Sequence, residues 1–175
     1  MVRNLLASDY EIWLRTMTGR KPKVNRFDPG PLEHKALTRD AFRKVLARAR
    51  EKNRANGFHL FGIFSRSGKC FYGTLDIFYL NAELNWVNLG LEISNNHWHK
   101  GIASEAAKLG LEIAFSGMQV HRLEVGCDPE NVASHKVIKK LGLNFEGMRK
   151  NFFPNNESDL LVYAISKPEY DARQG

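Results

Sequence analysis

The hydrophobic periodicity changes at Gly57, and no other feature constrains the fold of this chain as strongly. Beyond it, FHLFGIFS (58–65), CFYGTLDIFYL (70–80) and WVNLGLEIS (86–94) are rich in aromatic and β-branched residues, with turn signals at Ser67-Gly68-Lys69 and near Asn81–Asn85. Three such runs on short connections predict an antiparallel meander. In the third, Val87, Leu89, Leu91 and Ile93 alternate with Trp86, Asn88, Gly90 and Glu92, so the first set should face the core and Glu92 the other way. The pattern then predicts a helix from Gly101 to about Gly117, with Ile102, Ala106, Leu109 and Ile113 on one face. A strand VHRLEVGC, a helix from about Val132 to Leu141 closed by Gly142, and strands around FEGM and DLLVYAIS follow. A meander followed by this alternation implies a mixed α/β sheet covered by helices.

Upstream of Gly57, Tyr10, Leu14 and Met17 predict a helix from Asp9 to about Met17. Residues 18–35 hold three prolines and two glycines and break all periodicity, so a long loop is expected there, functional or mobile. Thr38 is placed to cap a second helix. Its apolar face is Phe42, Val45, Leu46 and Ala49, and Arg39, Arg43, Arg48, Arg50 and Lys52 lie away from it. At 175 residues and 43% hydrophobic the chain suits one domain over 1–175, with 168–175 expected as a loose tail.

Charge narrows the function classes. Of the net +7, residues 1–56 carry +8 and residues 57–175 carry −1, so any acidic partner is sought by the first third, above all by the basic 38–54 helix. Those bases occupy the face away from the apolar stripe without interleaved aromatics, which fits a solvated face as well as an RNA contact. Cys70 and Cys127 are far apart with no CxxC, which excludes a disulfide scaffold and a cysteine-rich zinc module. No apolar segment has signal-peptide or membrane-span character, so a cytoplasmic location without membrane association is expected.

Two strand-to-helix junctions carry the chemistry. Ser94 to Ala106 (SNNHWHKGIASEA) offers unpaired helix N-terminal amides, a glycine at 101 for close approach and small side chains at Ala103 and Ser104. That combination suits a phosphate-bearing cofactor, or an ordinary β-α turn. Cys127 to Ser134 (CDPENVAS) sets Asn131 as an N-cap, with Ser134 one turn into the helix. Ligands in α/β sheets bind outside the carboxyl ends of strands, where both junctions sit. His97-x-His99 lacks a third ligand at recognisable spacing, so no metal is expected. Cys127 is read as a small buried core residue, with a reactive thiol as the alternative.

In that order, the strand WVNLGLEIS, the loop WHKGIASEAA, the strand RLEVGCDPEN and the helix NVASHKVIKKLG followed by FEG resemble the GNAT superfamily of N-acetyltransferases. The nearest group in pattern is the Rim-type ribosomal-protein N-terminal alanine acetyltransferases. The resemblance covers 58–167 well and 1–57 weakly. It implies a GNAT fold, mixed and mostly antiparallel, with six to seven twisted strands flanked by about four helices. It further implies acetyl-CoA as donor, no metal, and an amine acceptor, a ribosomal or other protein N-terminus or a small-molecule amine, taken up by a monomer or homodimer. On this reading Trp98, His99, Lys100, Gly101, Ile102, Ala103 and Ser104 bind the pyrophosphate, and the strand edge at Glu92, Ile93 and Ser94 takes the pantetheine arm. Asn131 contacts the cofactor, and Ser134 is the general acid in place of the family's tyrosine, which Ile138 replaces. The glutamates that relatives carry at the positions of Asn88 and Phe153 are missing. Glu92 is therefore the substitute base, with His59, Asp76 and Glu83 as alternatives through water, and a catalytically degenerate acetyl-CoA-binding module is the competing reading. The acceptor groove is expected from 7–57 and Phe152–Asn156.

Overall fold

The computed structural model describes residues 1–154 and 158–174, with Asn56 described by its backbone alone. Positions 155–157, which include part of the connection expected to frame an acceptor, lie outside the described residues. The strands are β1 (Val2–Asn4), β2 (His59–Phe64), β3 (Phe71–Asn81), β4 (Trp86–Ile93), β5 (Arg122–Cys127), β6 (Asn144–Phe153) and β7 (Ser158–Ser166). The helices are α1 (Tyr10–Thr18), α2 (Arg39–Asn56), α3 (Ile102–Glu112), α4 (Val132–Leu141) and α5 (Lys167–Ala172). The sheet has seven strands in the order β1-β2-β3-β4-β5-β7-β6. β4 and β5 pair in parallel through Trp86–Asn88 and Arg122–Glu124, while β1–β2, β5–β7 and β6–β7 are antiparallel. This is the mixed, mostly antiparallel arrangement expected of the family pattern. Among the described residues no helix is long and apolar enough to cross a membrane.

The chain separates into two compact units, Met1–Asp76 with Leu91–Ala106, and Ile77–Gly90 with Ala107–Gly175. In the first, α1 and α2 pack aromatic faces together: Trp13 and Phe42 lie 4.8 Å apart, and Tyr10 donates its hydroxyl to the Leu37 carbonyl at 2.8 Å. Thr38 Oγ1 accepts from the Ala41 amide at 3.1 Å and starts α2 as its sequence position requires. Val45 is exposed, so the buried stripe of α2 is narrower than expected, reduced to Phe42 and Leu46. β1 was not apparent in the sequence because three residues are too few for a period; it is held by pairing with Phe61–Ile63.

In the second unit the buried side of the segment after Ala106 is Ala107, Leu111, Ala114 and Phe115, not the Leu109–Ile113 face. The turn widens to a π-helix at Ile113–Gly117, which rotates the following side chains. Residues 168–172 are not a loose tail. Ser166 and Glu169 form a capping box, Pro168 sits in the first turn, and the buried Tyr170 stacks on Phe115 at 4.6 Å. A short amphipathic segment with one large aromatic gains enough burial to order.

Candidate active site

In the first unit β4 ends at Ile93 and the chain passes through a 3₁₀ turn, Asn95–His97, into α3. Trp98 Nε1 donates to the Ile93 carbonyl at 2.7 Å, pinning the loop to the strand end. Trp98 therefore acts as a strut for the loop, and its indole N–H is spent on the strand. His99 and Gly101 both adopt positive φ, 60° and 78°, and a Cβ at Gly101 would meet nothing within 4 Å. Open space at a left-handed residue immediately before a helix leaves the first-turn amides facing outward. Among the described residues those of His99 to Ser104 donate to no protein acceptor, and only at Glu105 does bonding begin, to Gly101 O at 3.1 Å. The dipole of α3 adds positive potential there. At the end of β4, Ser94 Oγ is fully buried and has no partner among the described residues. Unpaired first-turn amides at the positive end of a helix fit a cofactor that carries phosphates.

Glu92 leaves β4 on the non-core side, as its alternation required, and meets Arg20 from the 18–35 loop in an ion pair. The Arg20 side chain is 4% exposed and that of Glu92 54%. The two line a cavity of about 170 Å³ with Met17, Pro29, Leu32, Gly73 and Thr74. His59, Asp76 and Glu83 are absent from this lining. Burial pushes the His59 imidazole down, and its Nδ1 sits 3.1 Å from Asn53 Nδ2; burial pushes the Asp76 carboxyl up against the opposing pull of Lys52.

The 18–35 loop is fastened rather than loose. Asn95 accepts from Lys21 N at 2.8 Å and donates to Lys21 O and to Asp28 Oδ2, each at 2.9 Å. Burial raises the Asp28 carboxyl, but bonds from Gly30 N, Asn95 and Val24 N outweigh it and hold the group below the usual range. Arg20, Asp28 and Asn95 were all missed by sequence reasoning. Their residue types are ordinary in loops, and only the fold buries them.

His97 packs edge-on against Tyr72 at 4.8 Å, and burial with Lys100 nearby holds its imidazole below the ordinary value. Among the described residues no three His, Cys, Asp or Glu side chains form a metal-binding group.

In the second unit Asn131 Oδ1 accepts from Ser134 N at 3.1 Å, so Asn131 caps α4. The Ser134 side chain is half-buried, and Ile138 is in the core. Asp128 accepts from Glu130 N at 2.9 Å and from Ser158 Oγ at 2.6 Å. Burial, with Asp128 beside it, pushes the Cys127 thiol up to about 11, which makes it inert at neutral pH. Opposite Asn88 on β5 lies Glu124, a buried carboxylate 3.0 Å from Arg149 and another residue without a sequence signature.

Residues 1–144 match the acetyltransferase (GNAT) domain family. The chain belongs to the GNAT acetyltransferase family. This GNAT protein is 34% identical to the uncharacterized N-acetyltransferase YnaD of Bacillus subtilis over 122 residues, 69% of this chain and 71% of that one. It is 32% identical to the spermidine N(1)-acetyltransferase of Escherichia coli over 81 residues, 43% of this chain and 44% of that one. The RimJ structure from Mycobacterium smegmatis, solved with CoA-disulfide, shares the fold with a TM-score of 0.77 at 24% identity over 96% of this chain and 82% of that one. The protein is thus an acetyl-CoA-dependent N-acetyltransferase.

Proposed function

We propose that this N-acetyltransferase acts in the cytoplasm on an α-amine, the N-terminus of a ribosomal or other protein or peptide, by direct attack in a ternary complex. The observation that carries the reading is the cavity at Glu92. It is small, partly apolar, and its half-exposed carboxylate already faces a guanidinium. A strong base is not needed for such an acceptor. An α-amine with a pKa near ~7.7–8.0 is neutral in roughly one molecule in ten at pH 7, whereas a lysine near ~10.4 is neutral in about one in a few thousand.

Bound acetyl-CoA supplies the activated acetyl thioester. The amides of His99 to Ser104, with Lys100 and the α3 dipole, hold its phosphates, and Trp98 keeps that loop in place. The strand edge at Glu92, Ile93 and Ser94 would take the pantetheine arm, and Asn131, which caps α4, would keep the start of that helix in shape for the cofactor. Ser134 Oγ would protonate the departing sulfur and regain its proton from water. Glu92 accepts a hydrogen bond from the amine and passes the proton released on attack to water. Positioning of amine and thioester then supplies most of the rate, up to roughly 7–11 kcal/mol.

Kinship with spermidine N(1)-acetyltransferase favours a polyamine acceptor as the second reading. Thiol release from acetyl-CoA should be compared for a peptide with a free α-amine, the same peptide N-blocked but carrying lysine, and spermidine. Preference for the α-amine supports the proposal, while preference for spermidine or lysine overturns it. Tight acetyl-CoA binding without thiol release from any amine would mark a degenerate binding module.

A further inference from the structure

Arg20 is buried out of proportion to its single ion pair. One nitrogen of the fork, Nη2, donates to Glu92 Oε1. Its Nε is buried and has no hydrogen-bond partner among the described residues. A guanidinium removed from water with a donor unmet is costly, and the cost falls when a further acceptor enters. Arg20 lines the cavity in which the acceptor is proposed to sit.

The charges there restrict what that acceptor can be. Asp28, buried, lies near enough to Arg20 for the guanidinium to pull its carboxyl down, and its oxygens are taken by Val24 N, Gly30 N and Asn95. The side chains of Arg20, Glu92 and Asp28 sum to −1, which one ammonium neutralises. A polyamine brings further cations and offers Arg20 no oxygen. A free amino acid brings a carboxylate towards the field of Asp28. A residue at a peptide N-terminus brings one ammonium and a neutral carbonyl oxygen on the adjacent carbon.

We infer that Arg20 is a specificity-determining residue that donates to the carbonyl oxygen next to the acceptor amine while Glu92 holds the amine, so that the site selects α-aminoacyl amides. This rests on the α-amine reading above. The planar fork holds Glu92 and a carbonyl in one fixed geometry, whereas a lysine ammonium is a point charge on a flexible stem without that geometry.

The test compares L-alaninamide, L-alanine and but-3-yn-2-amine, whose alkyne lowers amine basicity as a carbonyl does but carries no oxygen. Thiol release gives kcat/KM for each, and calorimetry on the CoA-loaded protein gives each affinity. Alaninamide should exceed the alkynyl amine by about ten- to a hundredfold in both measures, the weight of one hydrogen bond to a charged donor. In Arg20→Lys, which keeps a cation opposite Glu92, that ratio should collapse to within about threefold while CoA affinity persists. Equal use of alaninamide and the alkynyl amine by the unaltered protein overturns the inference without reference to any variant. A preserved ratio in folded Arg20→Lys, or preference for alanine over alaninamide, overturns it too. If α-amines are still preferred to lysine side chains and spermidine, only this inference fails; if they are not, the α-amine reading fails with it.

Discussion

Asp28 shows how one side chain can hold a loop that its own composition would leave open. Its carboxylate takes Val24 N, Gly30 N and Asn95 Nδ2, which closes the segment before Pro29 onto the turn after β4. Asp28→Ala leaves these donors buried without an acceptor and should cost roughly 1–3 kcal/mol or more, read as a lower urea midpoint. Asp28→Asn, which retains one acceptor oxygen, should lose less, and equal losses would show that the hydrogen bonds are not the cause. The folded carboxyls of Asp28 and Asp9 both lie below their ordinary range, Asp9 chiefly through its bond from Arg3. Their stabilisation is therefore complete above about 3.9, the unfolded value, and is lost as pH falls through the folded values. Acid titration of the Asp28→Asn variant should show a shallower decline below that point.

At the scale of elements, the neighbouring backbones of β3 and β4 come so close at Gly73 that a Cβ would stand 1.9 Å from the Glu92 carbonyl oxygen and 2.9 Å from its carbon. Both Gly73 and Glu92 line the cavity at Arg20, so this contact fixes one part of its wall. Gly73→Ala should force the strand segments apart, lowering stability by about 1–3 kcal/mol and raising KM for the amine. A variant with unaltered melting temperature and amine KM would remove that role. The glycine stood in the sequence as one residue of a strand run, and nothing in the alternation marked it. Helix limits were far easier to read: Thr38 as a cap and Gly57 and Gly142 as stops act within a few residues, and each is found where expected. The α3 face and α5 were not legible, because the choice of Ala107 and Leu111 as the buried side and the stacking of Tyr170 on Phe115 are decided by packing.

On the scale of the whole molecule, the surplus charge of the first third does not act uniformly. Arg39 is tied to Glu11 and lies over the Tyr10 ring at 4.6 Å, so it belongs to the packing of α1 on α2. Arg43 and Arg48 are exposed. If the basic face of α2 docks an acidic partner, Arg43→Glu with Arg48→Glu should raise KM for a peptide acceptor bearing acidic residues after its first position. The effect should fade as salt shortens the Debye length below about 8 Å. The KM for acetyl-CoA should stay the same, because the proposed phosphate site, His99 to Ser104, uses no residue of α2. An equal rise in both constants, or none in either, would identify α2 as a solvated surface.

From α1 to β7, the order of strands and helices, the two strand-to-helix junctions and the side of β4 from which Glu92 projects are legible in the sequence. All of these depend on periods and caps within a few residues of one another. Tertiary structure alone decided what Glu92 faces. Arg20 is separated from it by 72 positions, and the cavity between them exists because Asp28 and Asn95 fold a proline-rich loop against the end of β4. Burial converts those ordinary polar residues into a site, and burial is a property of the folded chain that no local spacing encodes.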